Sequence, residues 1–357
     1  MTPSPRPARR LARAGAGLAL VLTAAACGGG GGDSAAGGQQ GGGGGGEQPS
    51  TVTIGVGGQP LLAYLPTTLA QELGCYEQAG VQVEIQDLQA GSKALQAMIG
   101  GSTDVTSGYY DHTVQMAAKN QQVTAFVNML RYPALVLAVA PDAAGEIKTV
   151  ADLQGKTVGV TAPGSSTDFF LKHMLTQAGL KADAASVQAI GADATAVAAM
   201  EQGQVDAAVM LDPAASQLQA RAGELTVLAD TRTLEGVEEA YGTQTYPAAV
   251  LYAKQDWIDE NTETTQKLAD SIKCALDFVQ GHTAEEIAAE MPQQYAGDQP
   301  AIYVQSIEAL KDAYNPTGEI DAEGAEAVRD VLANSQPEIK QADVDVATTF
   351  TNEFVQK

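Results

Sequence analysis

Apolar residues recur along the chain in two alternating rhythms, every second residue and then every third to fourth, which predicts strands and helices in turn. Thr53-Ile54-Gly55-Val56 reads as a strand, an apolar-periodic helix runs through Leu69, and Val81-Gln82-Val83-Glu84-Ile85 reads as the next strand. A second series opens with Thr157-Val158-Gly159-Val160, continues in a helix around Leu175 and reaches Ser186-Val187-Gln188-Ala189-Ile190. The two series stay in step: Ala97-Met98-Ile99-Gly100-Gly101-Ser102-Thr103-Asp104-Val105 parallels Ala199-Met200-Glu201-Gln202-Gly203-Gln204-Val205-Asp206-Ala207. Asp111 then falls seven residues after Asp104, and Asp212 six after Asp206. Such a pattern, repeated at an offset of about a hundred residues, predicts an α/β protein of two similar lobes, each a mainly parallel sheet flanked by helices.

Two apolar runs with a shared Tyr-Pro-Ala start flank the second series: Tyr132-Pro133-Ala134-Leu135-Val136-Leu137-Ala138-Val139 and Tyr246-Pro247-Ala248-Ala249-Val250-Leu251-Tyr252. They read as paired crossover strands, by which the chain leaves the first lobe and returns to it. Residues 51–137 and 250–357 then form lobe 1 and residues 138–249 form lobe 2. Helical periodicity over Leu268–Val279 and Ile302–Ala313 belongs to the returning part. Two adjacent crossings make a hinge, where a few backbone angles can close a cleft; plain buried strands are the alternative.

The first 50 residues follow neither rhythm. Arg6, Arg9, Arg10 and Arg13 precede an apolar stretch, Ala14–Ala26, that ends at Cys27. This is the anatomy of a secretory signal and is too short for a stable membrane span. Thr23-Ala24-Ala25-Ala26-Cys27 is close to a lipobox, in which the cysteine thiol takes a diacylglyceryl group; Ala24 departs from the usual Leu. Residues 1–26 are therefore expected to be a signal, and 27–50 a lipidated cysteine with a glycine-rich, flexible tether. The chain would be anchored to the outer face of the cell membrane. No later segment is apolar for long enough to cross a bilayer. Formal charge is −23, which argues against nucleic acid or an anionic membrane surface as partner. Cys75 and Cys274 are the other cysteines; an oxidising compartment permits a disulfide between them, and two unpaired, half-buried thiols are the alternative.

In sheets of this kind ligands lie beyond the carboxyl ends of the strands, facing the N-termini of the following helices. Those termini present free N–H groups and partial positive charge, suited to an anionic group. Three segments fit: Thr67 in Leu65-Pro66-Thr67-Thr68, Ser92 in Gly91-Ser92-Lys93, and Ser165-Ser166-Thr167 after a Pro-Gly turn. Asp111 and Asp212, each expected to open a helix, would face each other across the cleft, and an inward carboxylate would call for an amine or other donor on the ligand. Tyr64, Tyr109 and Tyr110 would supply apolar walls with a hydroxyl edge. Arg131 is a candidate partner for an anionic group. At each position a cap, a core residue or a solvated side chain is the alternative reading.

Enzymatic motifs are incomplete. Gly55-Val56-Gly57-Gly58-Gln59-Pro60 begins like a dinucleotide fingerprint but has Pro60 in the third glycine's place. Gly159–Ser166 has P-loop spacing with Ser165 where lysine is required. His112, His173 and His282 show no metal-ligand spacing, and no cofactor is expected.

Taken in order, Leu65–Gly74, Gly91-Ser92-Lys93-Ala94-Leu95, Gly101–Val105, Asp152–Val160 and Pro163–Thr167 resemble the sulfonate/nitrate/taurine-type solute-binding proteins of ABC importers. That group also includes binders of thiamine-pyrimidine precursors. The resemblance covers most of residues 52–255. It implies the type II periplasmic-binding-protein fold, an extracytoplasmic setting, permease subunits with a cytoplasmic ATPase as partners, and a small anionic or zwitterionic solute such as a sulfonate, taurine-like compound, carboxylate or pyrimidine. A ligand-sensing or structural lipoprotein is the alternative. A thiamine-pyrimidine synthase of the same fold would need a cysteine-rich iron-binding motif that this sequence lacks.

Overall fold

The computed structural model describes residues 51–356; the signal, Cys27 and the tether lie outside them. The chain opens with β1 (Thr51–Val56), α1 (Leu65–Glu72), α2 (Cys75–Ala79), β2 (Gln82–Asp87), α3 (Gly91–Ile99), β3 (Val105–Tyr109), α4 (Asp111–Ala118) and β4 (Val123–Asn128). It crosses into β5 (Val136–Val139), β6 (Thr157–Val160), α5 (Ser166–Gln177), β7 (Ser186–Ala189), α6 (Ala194–Glu201), β8 (Ala207–Met210), α7 (Ala214–Ala222), β9 (Val227–Asp230) and α8 (Leu234–Tyr241). It returns as β10 (Ala249–Lys254) and ends in α9 (Gln255–Glu260), α10 (Thr262–Gly281), α11 (Ala284–Glu290), α12 (Pro300–Leu310), α13 (Ala322–Ser335) and α14 (Pro337–Ala342).

The described strands form two five-stranded sheets, β2-β1-β3-β10-β4 and β7-β6-β8-β5-β9. Within each, one strand, β10 or β5, runs antiparallel to its neighbours, and the remainder follow the parallel pattern expected from the repeat. The repeat has a physical cause at its most distinctive residue. Asp104 Oδ2 accepts the Thr53 N–H at 2.8 Å, and Asp206 Oδ2 accepts the Thr157 N–H at 2.7 Å. Each carboxylate ties the entry of the third strand to the start of the first. The glycine just upstream, Gly101 (φ 77°) or Gly203 (φ 62°), ends the preceding helix in the left-handed conformation. Ile54, Val56 and Val105 in lobe 1 and Val158, Val160 and Val209 in lobe 2 are buried between sheet and helices. Each is worth roughly 1.5–3 kcal/mol of transfer free energy.

The two Tyr-Pro-Ala runs do not pair with each other along their length. β5 lies between β8 and β9, and β10 between β3 and β4. The crossings themselves are short and irregular; they touch where Ala248 N–H donates to Leu130 O at 2.9 Å and where Met129 and Leu130 N–H donate to Ala249 O at 2.7 and 3.2 Å. The C-terminal helices do more than complete lobe 1. α10 packs on α1 and α2, but α13 packs against both α4 and α5, and α12 reaches α7.

Candidate ligand-binding site between the lobes

The carboxyl ends of β1, β3, β6 and β8 point into one cleft, and the lobes are closed over it. Ser92 N–H donates to Ser165 Oγ at 3.0 Å, and Ser165 Oγ to Ser92 Oγ at 3.1 Å. Ser166 Oγ donates to Asp111 Oδ1 at 2.8 Å. Leu62 N–H donates to Asp212 O at 2.9 Å, and His112 spans the gap from Tyr252 Oη (3.2 Å) to Gly164 O (3.3 Å). Gly91 is required at the crossing point, because a Cβ there would lie 2.9 Å from His112 Cε1.

Two adjoining small chambers remain inside, each of about 10 Å³, sharing Tyr109, Leu135 and Ser166 in their walls. The first is lined by Gly57, Tyr64, Gly91, Thr161, Ser165 and Thr167 with apolar Leu61 and Leu211. The second is aromatic: Phe169, Phe170, Tyr241 and Tyr246 surround Asp111, with Val331 and Leu332 of α13 behind. Tyr241 and Tyr246 stack at 4.1 Å between centroids, and Tyr64 meets Tyr109 edge-on at 6.0 Å. Wider grooves occur on the outer surface, for example beside Asn120, Gln121 and Lys254, but they lie away from the strand ends where both lobes contribute.

Asp111 is only 5% exposed, and makes no ion pair among the described residues. Burial raises its carboxyl above the ordinary 3.8, against the opposing effects of His112 and the Ser166 hydroxyl. Burial likewise lowers His112, so this imidazole is neutral near pH 7. Tyr64, Tyr241 and Tyr246 are pushed upward by burial and by the nearby Asp111 charge, and keep their O–H donors. The folded chain thus holds the Asp111 proton more tightly than the unfolded chain does. Stability from this group is complete below about pH 3.8 and is lost as pH rises through the folded-state value. Asp111→Asn should therefore stabilise the protein at neutral pH by about 0.5–2 kcal/mol, a gain that disappears below pH 4. Denaturant midpoints of both proteins at pH 3.5 and pH 7.5 check this; a loss of stability at pH 7.5 would contradict it.

Among the residues singled out in the sequence, Tyr64, Tyr109, Asp111, Ser165, Ser166 and Thr167 line the chambers, and Ser92 stands beside them as a lobe-to-lobe clasp. Others lie elsewhere. Thr67 is buried in lobe 1, its hydroxyl 2.8 Å from Ser107 Oγ, because its place in the first turn of α1 turns it onto the sheet. Tyr110 points away from Tyr109 into the other face of lobe 1, where its hydroxyl meets Thr349. Asp212 does not face Asp111: its carboxylate accepts Ser216 N–H and Oγ–H and forms an ion pair with Arg232 at 3.2 Å, all within lobe 2. Arg131 sits on an outer groove and donates to Asp312 O. The hydroxyl run is also committed: Ser165 to Ser92, Ser166 to Asp111, and Thr167 Oγ1 to Thr161 at 3.0 Å. The two serines fasten the lobes and Thr167 is tied within lobe 2, so the run does not stand free for an anion. Phe169, Phe170, Tyr241 and Tyr246 are walls that the hydrophobic pattern does not mark, and only the Phe pair, close behind the hydroxyl run, carries a positional signal.

Two lobes closing over a shared cleft define the architecture of periplasmic binding proteins. The chain belongs to the NMT1/THI5-like family, whose profile matches residues 63–286. Among solved structures, a Bordetella bronchiseptica RB50 protein is 39% identical with a TM-score of 0.83, over 86% of this chain and 96% of its own. The alkanesulfonate-binding protein SsuA of Xanthomonas axonopodis pv. citri, bound to MOPS, is 20% identical with a TM-score of 0.64, over 85% and 99%. A Candida albicans gene product described as having the generic periplasmic binding protein fold is 11% identical with a TM-score of 0.66, over 86% and 98%. No curated protein matches the chain.

Proposed function

We propose that this protein is the extracytoplasmic solute-binding component of an ABC importer, holding a small organic molecule between its lobes and delivering it to permease subunits. The observation that carries this reading is a buried site whose walls come from both lobes and from the ends of four strands. Such a site can form only on closure and release only on opening, as a carrier requires. An enzymatic role has less support. Ser166 donates to a carboxylate, and His112 is engaged by Tyr252 and Gly164, so no nucleophile–base pair is set up. A ligand presenting a donor to Asp111 fits the walls, as expected for an inward Asp111, and among the anionic or zwitterionic solutes expected from the sequence this favours those that carry a donor. Native mass spectrometry of protein purified without refolding should find a retained small molecule, and adding it to stripped protein should shrink the radius of gyration in solution scattering. An unchanged profile at saturation would overturn the reading.

The same proposal places the protein on the outer face of the cell membrane through a lipidated Cys27, with residues 28–50 as tether. Among the described residues no helix is long and apolar enough to cross a membrane. Cys27→Ala should release the protein from the membrane fraction, and a fatty-acid analogue should label the parent chain and not the variant. Absence of label on the parent chain would remove the anchor from the proposal.

A further inference from the structure

The geometry points to a compact organic cation, an alkyl- or arylammonium, as the solute, with its charge held against Asp111 inside the ring of tyrosines and phenylalanines. This rests on the reading of the cleft as a solute site and goes further by fixing the sign of the solute's charge. Asp111 is the one charged residue among those lining the two chambers, and none of the others is Lys, Arg or His. A carboxylate shut into such a site without a basic partner is costly unless a counter-charge arrives with the ligand. Tyr109, Phe169, Phe170, Tyr241 and Tyr246 line the same chamber as Asp111, and aromatic rings attract a desolvated cation through their quadrupoles.

The converse case is weak. An anion would meet no basic side chain, and the hydroxyls of Ser165, Ser166 and Thr167 already bond Ser92, Asp111 and Thr161. It would also lie close to the Asp111 charge. With a chain charge of −23, the field outside the cleft gathers cations as well, so local and global signs agree. In this closed form the second chamber is only about 10 Å³, so it must widen as the lobes part to admit the cation, and the case for its charge rests on Asp111 and the aromatic walls.

Two sets of probes share a skeleton and differ in charge: phenethylammonium, 2-phenylethanol and phenylacetate; benzylammonium, benzyl alcohol and benzoate. In thermal-shift and calorimetric titrations at pH 7.5 the ammonium member of a set should bind and its carboxylate should not. Asp111→Asn should weaken that binding at least tenfold with an unchanged circular dichroism spectrum, and Phe169→Leu should weaken it severalfold. The mass of any co-purified solute gives an independent reading, and should correspond to an amine or quaternary ammonium compound. Equal or better binding of the alcohols or carboxylates, a neutral or anionic co-purified solute, or full affinity in Asp111→Asn would overturn the cation while leaving the cleft a solute site. Failure of every probe together with no retained solute would overturn both.

Discussion

Ser166→Asp should leave the protein folded and prevent the cleft from closing. In the closed form Ser166 Oγ lies 2.8 Å from Asp111 Oδ1, across the boundary between lobes and in a buried setting. A carboxylate at 166 would place a second negative charge against the first. Both cannot stay ionised there, so either one takes a proton or the lobes remain apart. The expected cost to closure of the ligand-free cleft is about 2–4 kcal/mol, from repulsion and the loss of a charge-assisted hydrogen bond, and a cationic solute between the two carboxylates would recover part of it. Lobe 2 itself should tolerate the change, because Ser166 is the first residue of α5 and a carboxylate near a helix N-terminus is favourable. The ligand-free melting temperature should stay within a few degrees. Ser166→Asn, which adds similar bulk without charge, should lose far less affinity. The measurements are calorimetry with the solute found by native mass spectrometry, and scattering with and without it. Normal affinity in Ser166→Asp would mean that the Ser166–Asp111 bond is incidental to closure.

Position proved more legible than partnership. Ser165, Ser166 and Asp111 were placed at the cleft from one topological rule, that ligands gather beyond the carboxyl ends of strands, and they do line it. What the sequence did not reveal is that these groups bond each other across the lobes, since that depends on a distance between segments some 55 residues apart. Tyr109 and Tyr110 show the limit on a finer scale. They are adjacent, and at the junction of β3 with α4 one faces the chamber while the other enters the lobe 1 core. Tyr241 and Tyr246 were hidden for another reason. In a closed cleft the wall of the site is as buried as the core, so aromatic residues carry no sequence mark that separates the two roles. The repeat was plain because backbone chemistry fixes it: Asp104 and Asp206 each hold a strand N–H that would otherwise be unpaired. An apolar run does not show where its chain passes from one sheet to the other, and the latter part of each Tyr-Pro-Ala run lies in β5 or β10.

Removing the disulfide should cost more stability than any single side chain of the cleft, and should spare binding. Cys75, at the start of α2, is bonded to Cys274 within α10, with sulfurs 2.05 Å apart. Both helices belong to lobe 1, yet the bond joins residues separated by 199 positions, so the loop it closes contains the whole of lobe 2. A cross-link over so long a loop restricts the unfolded chain strongly: the chain-entropy relation gives about 5 kcal/mol, and measured values for native disulfides run from about 2 to 5 kcal/mol. Cys75→Ala with Cys274→Ala should therefore lower the unfolding free energy by about 2–5 kcal/mol, as should reduction of the parent protein. Part of the loss will be local, because Cys75 is 2% exposed and its removal leaves space between α2 and α10. Solute affinity should change little, since neither cysteine lines the chambers. Denaturant titrations of oxidised, reduced and double-variant protein, each paired with calorimetry, separate these effects. Coincident midpoints for all three would show that the bond does not constrain the unfolded chain, and a parallel loss of affinity would show that lobe 1 transmits its strain to the cleft.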